Sequence, residues 1–293
     1  MFAQQLVNGI VLGAIYSLFS LGFTIIFGVL HVINLMYGVF FALGAYVSLW
    51  AAQSLGLGLI ASIALSAVVT GVAAIGLDAL IVTPLRRRKE RYLASLLATM
   101  GMSLFLYALL TRFFGAEPMR YPSGFSSETV LSLGSVSISV LQITIVGIVL
   151  IVVAALFWFL KKTRWGVAVR GVGDHETAAL LVGLSPFRTT ALVSFIGGSL
   201  AAVAGTLIGL NFNAVQPFMG ETMMLQGFAV VVIGGLGSMP GALAAGMLLG
   251  IIEILTTAYI SSAYRDAVTF ALLLATLWVL PQGLLPTSTA RRV

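Results

Sequence analysis

The chain has 293 residues, of which 60% are hydrophobic and 8% are charged, whereas a soluble domain carries about 25% charged residues. Its 15 Lys and Arg residues outnumber its 9 Asp and Glu residues, which gives a net charge of +6. This composition excludes an ordinary soluble globular protein, a disordered chain and a nucleic-acid-binding domain. The chain has no cysteines, so disulfides and Cys-based metal sites are excluded as well.

Long stretches without Asp, Glu, Lys or Arg divide the chain. A spanning helix needs about 20 mostly apolar residues, and these stretches lack the alternation of membrane β-strands. We therefore predict an all-α, polytopic transmembrane helical bundle of about nine spans (eight to ten) that forms a single domain over residues 1–293. The spans are expected at 5–29, 33–53, 57–82, 93–114, 138–160, 189–210, 222–236, 240–259 and 267–284.

The first and seventh of these predicted spans are atypical. The first has no basic residue before it and exceeds the apolar core of a signal peptide, so we expect a retained span. The seventh is short and interrupted by glycine, which suits either a full crossing or a re-entrant or broken helix.

Basic residues predict the orientation of the bundle. Twelve of them fall on one face, in the block 86–91, in the segment 161–188 and at the C-terminus, whereas Arg112, Arg120 and Arg265 fall on the other face. Since cytoplasmic loops carry the excess of Lys and Arg, the C-terminus is expected in the cytoplasm and the N-terminus on the periplasmic side. Residues 115–137 are then an external loop.

Two hydrogen-bonding residues, Asn34 and Tyr37, stand beside Gly38 near the start of the second span. Their spacing places both near one helical face, where they are candidates for lining a translocation path. Alternatively, they satisfy a helix break or lie at the membrane interface, where Tyr is common.

The cytoplasmic segment 161–188 contains one predicted short helix, from Asp174 to Gly183. Asp174 is a fair N-cap and Glu176 adds a second acid to the first turn. Gly183 suits the left-handed C-terminal position, and Pro186 ends the helix. The helix either lies on the membrane surface as an amphipathic element or docks a cytoplasmic partner.

The run from Gly234 to Gly241 contains four glycines, a serine and a proline, and we do not expect it to be a continuous helix. Irregular backbone at membrane depth is tolerated where protein buries it or where it lines a cavity. In transporters, such interrupted segments indicate the substrate region or a gate. The alternative is a tight cytoplasmic turn between two spans.

Glu253 lies in the middle of a predicted span, whereas Asp78, near the end of another, is closer to the basic block 86–91 and is expected at the membrane interface. An ionisable residue in the middle of a span costs about 2.5–3.5 kcal/mol on insertion scales, so Glu253 should face the bundle, a partner or water. It is either a structural hydrogen-bonding residue or, in a stand-alone ion-coupled secondary transporter, the proton or sodium site.

No enzyme motif accompanies these features. The three lysines, Lys89, Lys161 and Lys162, do not follow a glycine, as the phosphate-binding loop of ATPases requires. There is also no zinc-protease or serine-hydrolase motif. We expect a chain that is not an enzyme and binds no cofactor or metal of its own.

Three stretches together resemble the permease subunits of the hydrophobic-amino-acid uptake family of bacterial ABC importers. They are Ile33–Tyr46, Arg170–Gly183 and Gly227–Gly283. The sequence departs from the family pattern at several positions. The family usually has His where Tyr37 stands and frequently Lys where Gln226 stands. In the second stretch it usually has Ala in place of two glycines and Asp in place of His175.

The resemblance implies an assembly in the bacterial inner membrane. The chain is expected to form half of a pore with a second permease of the LivM type. Two cytoplasmic ATPase subunits, which hold ATP and Mg²⁺, are expected to drive it, and a periplasmic substrate-binding protein to deliver the solute. The solute is expected to be a branched-chain amino acid, with urea, amides or another small organic solute as the alternative.

The resemblance also assigns roles to residues of this chain. Those expected to couple the permease to the ATPases are Arg170, Gly173, Asp174, Glu176, Ala178, Ala179 and Gly183. Those expected to form the translocation path or gate are Asn34, Tyr37, Gly38, Gln226, Gly234, Gly235, Gly237, Ser238 and Pro240. The mechanism is expected to be ATP-driven alternating access.

Overall fold

The computed structural model describes residues 2–30, 32–87, 92–122, 130–133 and 136–285. Within these ranges the chain is mostly helical, because helices satisfy their own backbone groups where no water is present. The helices are α1 (Phe2–Leu30), α2 (Met36–Ser54), α3 (Leu59–Leu77), α4 (Thr83–Arg87), α5 (Tyr92–Phe114), α6 (Val140–Lys162), α7 (Arg164–Asp174), α8 (Glu176–Leu181), α9 (Pro186–Phe212), α10 (Met219–Gly234), α11 (Met239–Tyr259) and α12 (Arg265–Val279).

Seven helical stretches in the described chain are long and apolar enough to cross a membrane. They are α1, α2, the continuous stretch from α3 to Leu85, α5, α6, α9 and α11. The predicted seventh and ninth spans correspond to α10 and α12, which are shorter at 16 and 15 residues. The predicted polytopic helical bundle is therefore confirmed. Helix α10 runs unbroken through Gly227 and measures about 24 Å at 1.5 Å per residue.

Helix α1 occupies the centre of the bundle and is buried over most of its length. It packs lengthwise against α11, and the two helices run antiparallel, since Gly9 lies against Ile251 and Gly13 against Met247. The hydroxyl of Ser17 donates to the carbonyl of Leu243 at 3.0 Å. Small residues at such contacts let membrane helices approach closely.

Helices α2 and α9 also meet backbone to backbone. Gly205 of α9 lies so close to the carbonyl oxygen of Phe41 that a Cβ atom would overlap it, and Gly44 of α2 lies equally close to Ala202. This contact leaves no room for a side chain at either glycine.

We expect Gly205→Ala to destabilise the protein by about 1–3 kcal/mol, the usual cost of overpacking. The matched control is Gly101→Ala in α5, because a Cβ there would meet nothing within 4 Å. Thermal unfolding of the purified variants measures the difference. Equal unfolding temperatures for the two variants would show that α2 and α9 can separate without cost.

The two ends of the bundle carry different elements. At one end, called the hairpin end, the side chain of Gln4 in α1 donates to the carbonyl of Ser137 at 2.9 Å. There the end of α2 contacts the segment after α5, through a bond from Gln53 to the carbonyl of Arg120. At the other end, called the α7 end, Gly173 lies against the carbonyl of Gly28.

The segment predicted as an external loop lies at the hairpin end and contains a two-stranded hairpin. Strands β1 (Val130–Leu133) and β2 (Val136–Ser139) pair antiparallel. Ser139 then caps α6, its hydroxyl accepting from the backbone N–H of Leu141 at 3.2 Å. Of the basic residues predicted on the opposite face, Arg88, Lys89, Arg91, Arg291 and Arg292 lie outside the described residues.

The segment 161–188 folds differently from its prediction. It contains two helices, α7 and the six-residue α8, where the sequence predicted one helix from residue 174 to 183. Asp174 is the last residue of α7 rather than an N-cap, so that prediction is wrong. His175 takes the N-cap position of α8 with extended backbone, and its side chain makes no capping hydrogen bond.

Tertiary burial explains the unpredicted helix α7. Its glycines lower helix propensity, but Ala168, Val169 and Val172 are buried in the bundle. The hydroxyl of Thr163 caps the helix by accepting from the backbone N–H of Gly166 at 3.0 Å. Packing of one apolar face thus outweighs the low propensity of the segment.

Candidate functional site

A buried polar cluster forms where α1, α10, α11 and α12 meet. The carboxylate of Glu253 pairs with the guanidinium of Arg265 and accepts hydrogen bonds from the hydroxyl of Tyr16 at 3.1 Å and the amide of Gln226 at 3.3 Å. Arg265 also donates to the Tyr16 hydroxyl at 2.7 Å. The four side chains thus form one connected network around the intramembrane acid.

The network offsets the free-energy cost of burying the Glu253 carboxylate within the bundle. Glu253 is 1% exposed and Arg265 is 35% exposed. An unpaired carboxylate at this depth would lose its hydration without compensation, whereas the guanidinium neutralises it and the two neutral donors bind the same oxygen. The predicted intramembrane acid therefore faces the bundle interior.

Tyr16 and Arg265 were not among the predicted site residues. Arg265 was counted only as one of three basic residues on the face opposite the positive block. Its position twelve residues after Glu253, with an uncharged stretch between them, was the one available signal for the pair. Tyr16 lies within a long uncharged span and gave no signal of its own.

A cavity of about 310 Å³ adjoins the network at the hairpin end, and we call it the outer cavity. Tyr16, Gln226 and Arg265 line it. Its other lining residues come from α2, α9, α10 and the loop before α10, and are Phe41, Ile208, Phe212, Ala214, Gln216, Met219, Thr222 and Met223. The cavity therefore combines one charged and polar wall with a mostly apolar remainder that also contains Gln216 and Thr222.

The predicted pair at the start of α2 is engaged within the protein. The Asn34 side chain accepts from the backbone N–H of Met36 at 3.0 Å. The fully buried Tyr37 donates its hydroxyl to the carbonyl of Phe19 at 3.0 Å. Gly38 packs against the carbonyl of Gly220 in α10. These contacts hold the first turn of α2 inside the bundle, and a role of the pair in translocation stays a prediction.

The glycine-rich run forms a tight turn between α10 and α11. Gly235 has φ 104° and Gly237 has φ 81°, conformations that a residue with a Cβ rarely adopts. Ser238 is the N-cap of α11, and its hydroxyl accepts from the backbone N–H of Gly241 at 3.2 Å. The carbonyl of Gly234 accepts from the backbone N–H of Leu285, which fastens the chain after α12 to the turn.

A second cavity, of about 450 Å³, lies at the α7 end, and we call it the inner cavity. Gly237 lines it from the turn, Pro240 from the start of α11, and Arg170, Gly173 and Asp174 from α7. The structure thus brings residues predicted to couple and residues predicted to gate to the walls of one cavity.

The remaining predicted coupling residues lie on and after α8. Glu176 and Ala178 are exposed, and Ala179 is buried. Gly183 has φ 83°, the left-handed conformation predicted for it. Beside them, the apolar side chains of Leu181 and Val182 are 86% and 76% exposed, which leaves an apolar surface at the α7 end without cover from the described chain.

We expect Gly235→Ala to be more harmful than Gly237→Ala. Both substitutions place a Cβ at positive φ, but only at residue 235 would that atom approach backbone, the carbonyl oxygen of Gln282 at 2.9 Å. The strain common to both is of order 1–3 kcal/mol. The difference in unfolding temperature between the two variants isolates the contact between the turn and the segment after α12. If both variants unfold at the same temperature, that segment is not fixed to the turn.

No group of three or more His, Asp or Glu residues in the described chain is placed to hold a metal ion. The polar residues of the two cavities are instead spread over several helices.

Apolar helices around a buried ion pair, with a cavity at each end, define a multi-pass membrane protein of transporter type. Residues 5–277 match the family model described as "Branched-chain amino acid transport system / permease component". The chain is 34% identical to the high-affinity branched-chain amino acid transport system permease protein LivH of Escherichia coli K12, over 97% of this chain and 95% of that protein. It is 30% identical to permease protein BraD of Pseudomonas aeruginosa over the same shares.

The fold is similar to a solved structure of PsaBC from Streptococcus pneumoniae in complex with Fab. The TM-score is 0.51 at 13% identity, covering 96% of this chain and 93% of that chain, which is a similarity of fold alone. The extent of the family match settles the assignment. The chain belongs to the family of branched-chain amino acid transport system permease components and is a transport subunit.

Proposed function

We propose that the chain is the permease subunit of a bacterial ABC importer that moves branched-chain amino acids across the inner membrane. The observation that carries the proposal is the family match over nearly the whole chain. The names of the relatives from Escherichia coli and Pseudomonas aeruginosa support the substrate class. Residues 1–293 act as one permease domain, with 161–188 as its coupling segment.

The chain does not act alone in this proposal. A second permease of the LivM type completes the pore, and a periplasmic binding protein delivers the amino acid. Two ATPase subunits bind ATP and Mg²⁺ and dock on the α7 end. The exposed apolar residues of α8 support this contact, because apolar patches of that kind mark interaction sites. The α7 end is then cytoplasmic and the hairpin end periplasmic.

Alternating access in this assembly would use α10 as the connecting element. Its side chain Gln226 lines the outer cavity, and the turn that follows it lines the inner cavity. A movement of α7 driven by the ATPases would reach the turn through the walls of the inner cavity. Differential binding of ATP to the two conformations supplies the free energy.

The experiment is a mild-detergent purification of the tagged chain from its native membrane, followed by reconstitution with the proteins that accompany it. We expect two ATPase subunits and a second permease in stoichiometric amounts, and ATP-dependent leucine uptake once the binding protein is added. A chain that purifies without an ATPase and transports in liposomes without ATP would contradict the importer. Uptake of urea or an amide, but not of leucine, would overturn the substrate class alone.

A further inference from the structure

The outer cavity has the dimensions and the chemistry of a small-molecule site. Its volume of about 310 Å³ lies at the lower end of the range of about 300–1,000 Å³ found for ligand pockets. Such pockets are mostly apolar with a few convergent polar groups. Here the polar groups are those of the Arg265 network together with Gln216 and Thr222, and the apolar residues come mainly from α2, α9 and α10.

Arg265 presents hydrogen-bond donors to this cavity. A guanidinium carries five N–H donors. In Arg265, Nη2 donates to Tyr16, and Nε faces Glu253 in the ion pair but makes no hydrogen bond among the described residues. The side chain is 35% exposed and lines the cavity. Planar guanidinium groups bind carboxylates through two parallel hydrogen bonds, so a carboxylate is the solute group best matched to this wall.

Glu253 supplies the complementary charge. Its Oε1 accepts from Tyr16 and Gln226, whereas Oε2 is buried and has no hydrogen-bond partner among the described residues. A buried carboxylate oxygen without a donor is costly. The three residues that contact Glu253 all line the cavity, whereas Glu253 itself lies directly behind them. Its negative charge therefore acts on a cationic group in the cavity through this wall, at short range and with little solvent screening.

The apolar part of the cavity suits an aliphatic side chain of variable shape. Met219 and Met223 line it together with Phe41 and Ile208. Methionine is unbranched and adapts to irregular apolar partners, so this wall does not discriminate sharply between γ-branched and β-branched side chains.

We propose that the outer cavity is a solute-binding site for a zwitterionic aliphatic amino acid, with Arg265 binding its carboxylate and the charge of Glu253, behind the cavity wall, attracting its ammonium group. The inference rests on the proposed function, since it concerns the solute of the same transporter. It goes further by assigning a binding site to the permease itself and a recognition role to the ion pair.

Thiol accessibility in the reconstituted complex tests the site directly, because the chain has no cysteine of its own. The reporters are Thr222→Cys and Gln216→Cys, both exposed residues that line the cavity. The matched control is Tyr264→Cys, which is 57% exposed and adjoins Arg265 in the chain without lining the cavity. Modification of this chain by a charged, membrane-impermeant methanethiosulfonate is followed by mass spectrometry, with and without leucine.

We expect leucine to slow modification of both reporters and to leave the control unchanged. By mass action the slowing reaches about tenfold when leucine is at about ten times its dissociation constant. Leucinamide, which lacks the carboxylate, and 4-methylpentanoate, which lacks the ammonium group, should protect much less. The double variant Glu253→Gln/Arg265→Gln removes both charges without leaving one unpaired, and it should lose the protection by leucine.

Equal modification with and without leucine at both reporters would overturn the site, even if the wild-type complex imports leucine with ATP. The proposed function would then stand without this inference. Equal protection by leucine, leucinamide and 4-methylpentanoate would overturn the role of the ion pair. A wild-type complex that does not import leucine would instead remove the proposed function, and protection by leucine would still report on the cavity.

Discussion

Arg265→Gln is expected to cost about 3–5 kcal/mol of stability, the usual consequence of removing one partner of a buried ion pair. The reason is the burial of Glu253, which is 1% exposed and would remain as an uncompensated charge. Glu253→Gln should cost less, because a glutamine can still accept from Tyr16 and because Arg265 keeps access to water. The double variant should recover much of the stability lost by Arg265→Gln.

A double-mutant cycle on thermal unfolding of the purified complex measures this coupling. The expected order of stability places Arg265→Gln lowest and both Glu253→Gln and the double variant above it. Unfolding of Arg265→Gln at the wild-type temperature would show that the pair contributes nothing. Leucine uptake separates structure from recognition, since the double variant should be stable and yet transport poorly.

The same variants decide between ATP coupling and ion coupling. In the importer, Glu253→Gln should leave the pH dependence of uptake unchanged, because the acid is paired and carries no transported proton. Uptake by purified complex, measured over a range of pH with ATP on the ATPase side, provides the comparison. A pH profile that shifts in Glu253→Gln, together with uptake driven by a proton or sodium gradient, would support the secondary transporter instead.

The helices could be predicted because membrane burial depends on local composition. The span predicted at 93–114 is α5 (Tyr92–Phe114), and the span predicted at 5–29 is α1 (Phe2–Leu30). The glycine-rich break between α10 and α11 was equally local, since Gly235 and Gly237 adopt positive φ. The length of an apolar stretch and the presence of glycines in a turn are both local properties of the sequence, so both features can be predicted without knowledge of tertiary contacts.

The site depends on contacts between residues distant in the chain, and those could not be predicted from composition. Arg265 and Tyr16 bond across 249 positions, and Tyr16 and Glu253 across 237. Helix α7 was missed for a related reason: its glycines disfavour a helix locally, whereas burial of Val169 and Val172 stabilises it. Residues of α7 and of the turn after α10 line the same inner cavity. Their proximity is a tertiary contact that local sequence does not indicate.

The second large effect is expected at the α7 end, where Leu181→Asp should prevent docking of the ATPase subunits without unfolding the permease. Leu181 is 86% exposed at the end of α8, so a charged side chain there remains in water in the isolated chain. At an interface with the ATPase the same carboxylate would lose its hydration without a partner, which costs at least about 2 kcal/mol, or about a thirtyfold loss of affinity.

The matched control is Leu55→Asp, because Leu55 is 52% exposed and follows α2 at the hairpin end. Co-purification of ATPase with the tagged permease, together with ATP-dependent leucine uptake, measures the effect, and the unfolding temperature of the permease checks folding. Full ATPase recovery and normal uptake by Leu181→Asp would place docking elsewhere.

Charge reversal at Asp174 and Glu176 should uncouple ATP hydrolysis from transport rather than release the ATPase, since Asp174 lines the inner cavity that adjoins the turn. Normal uptake by this double variant would exclude α7 and α8 from coupling.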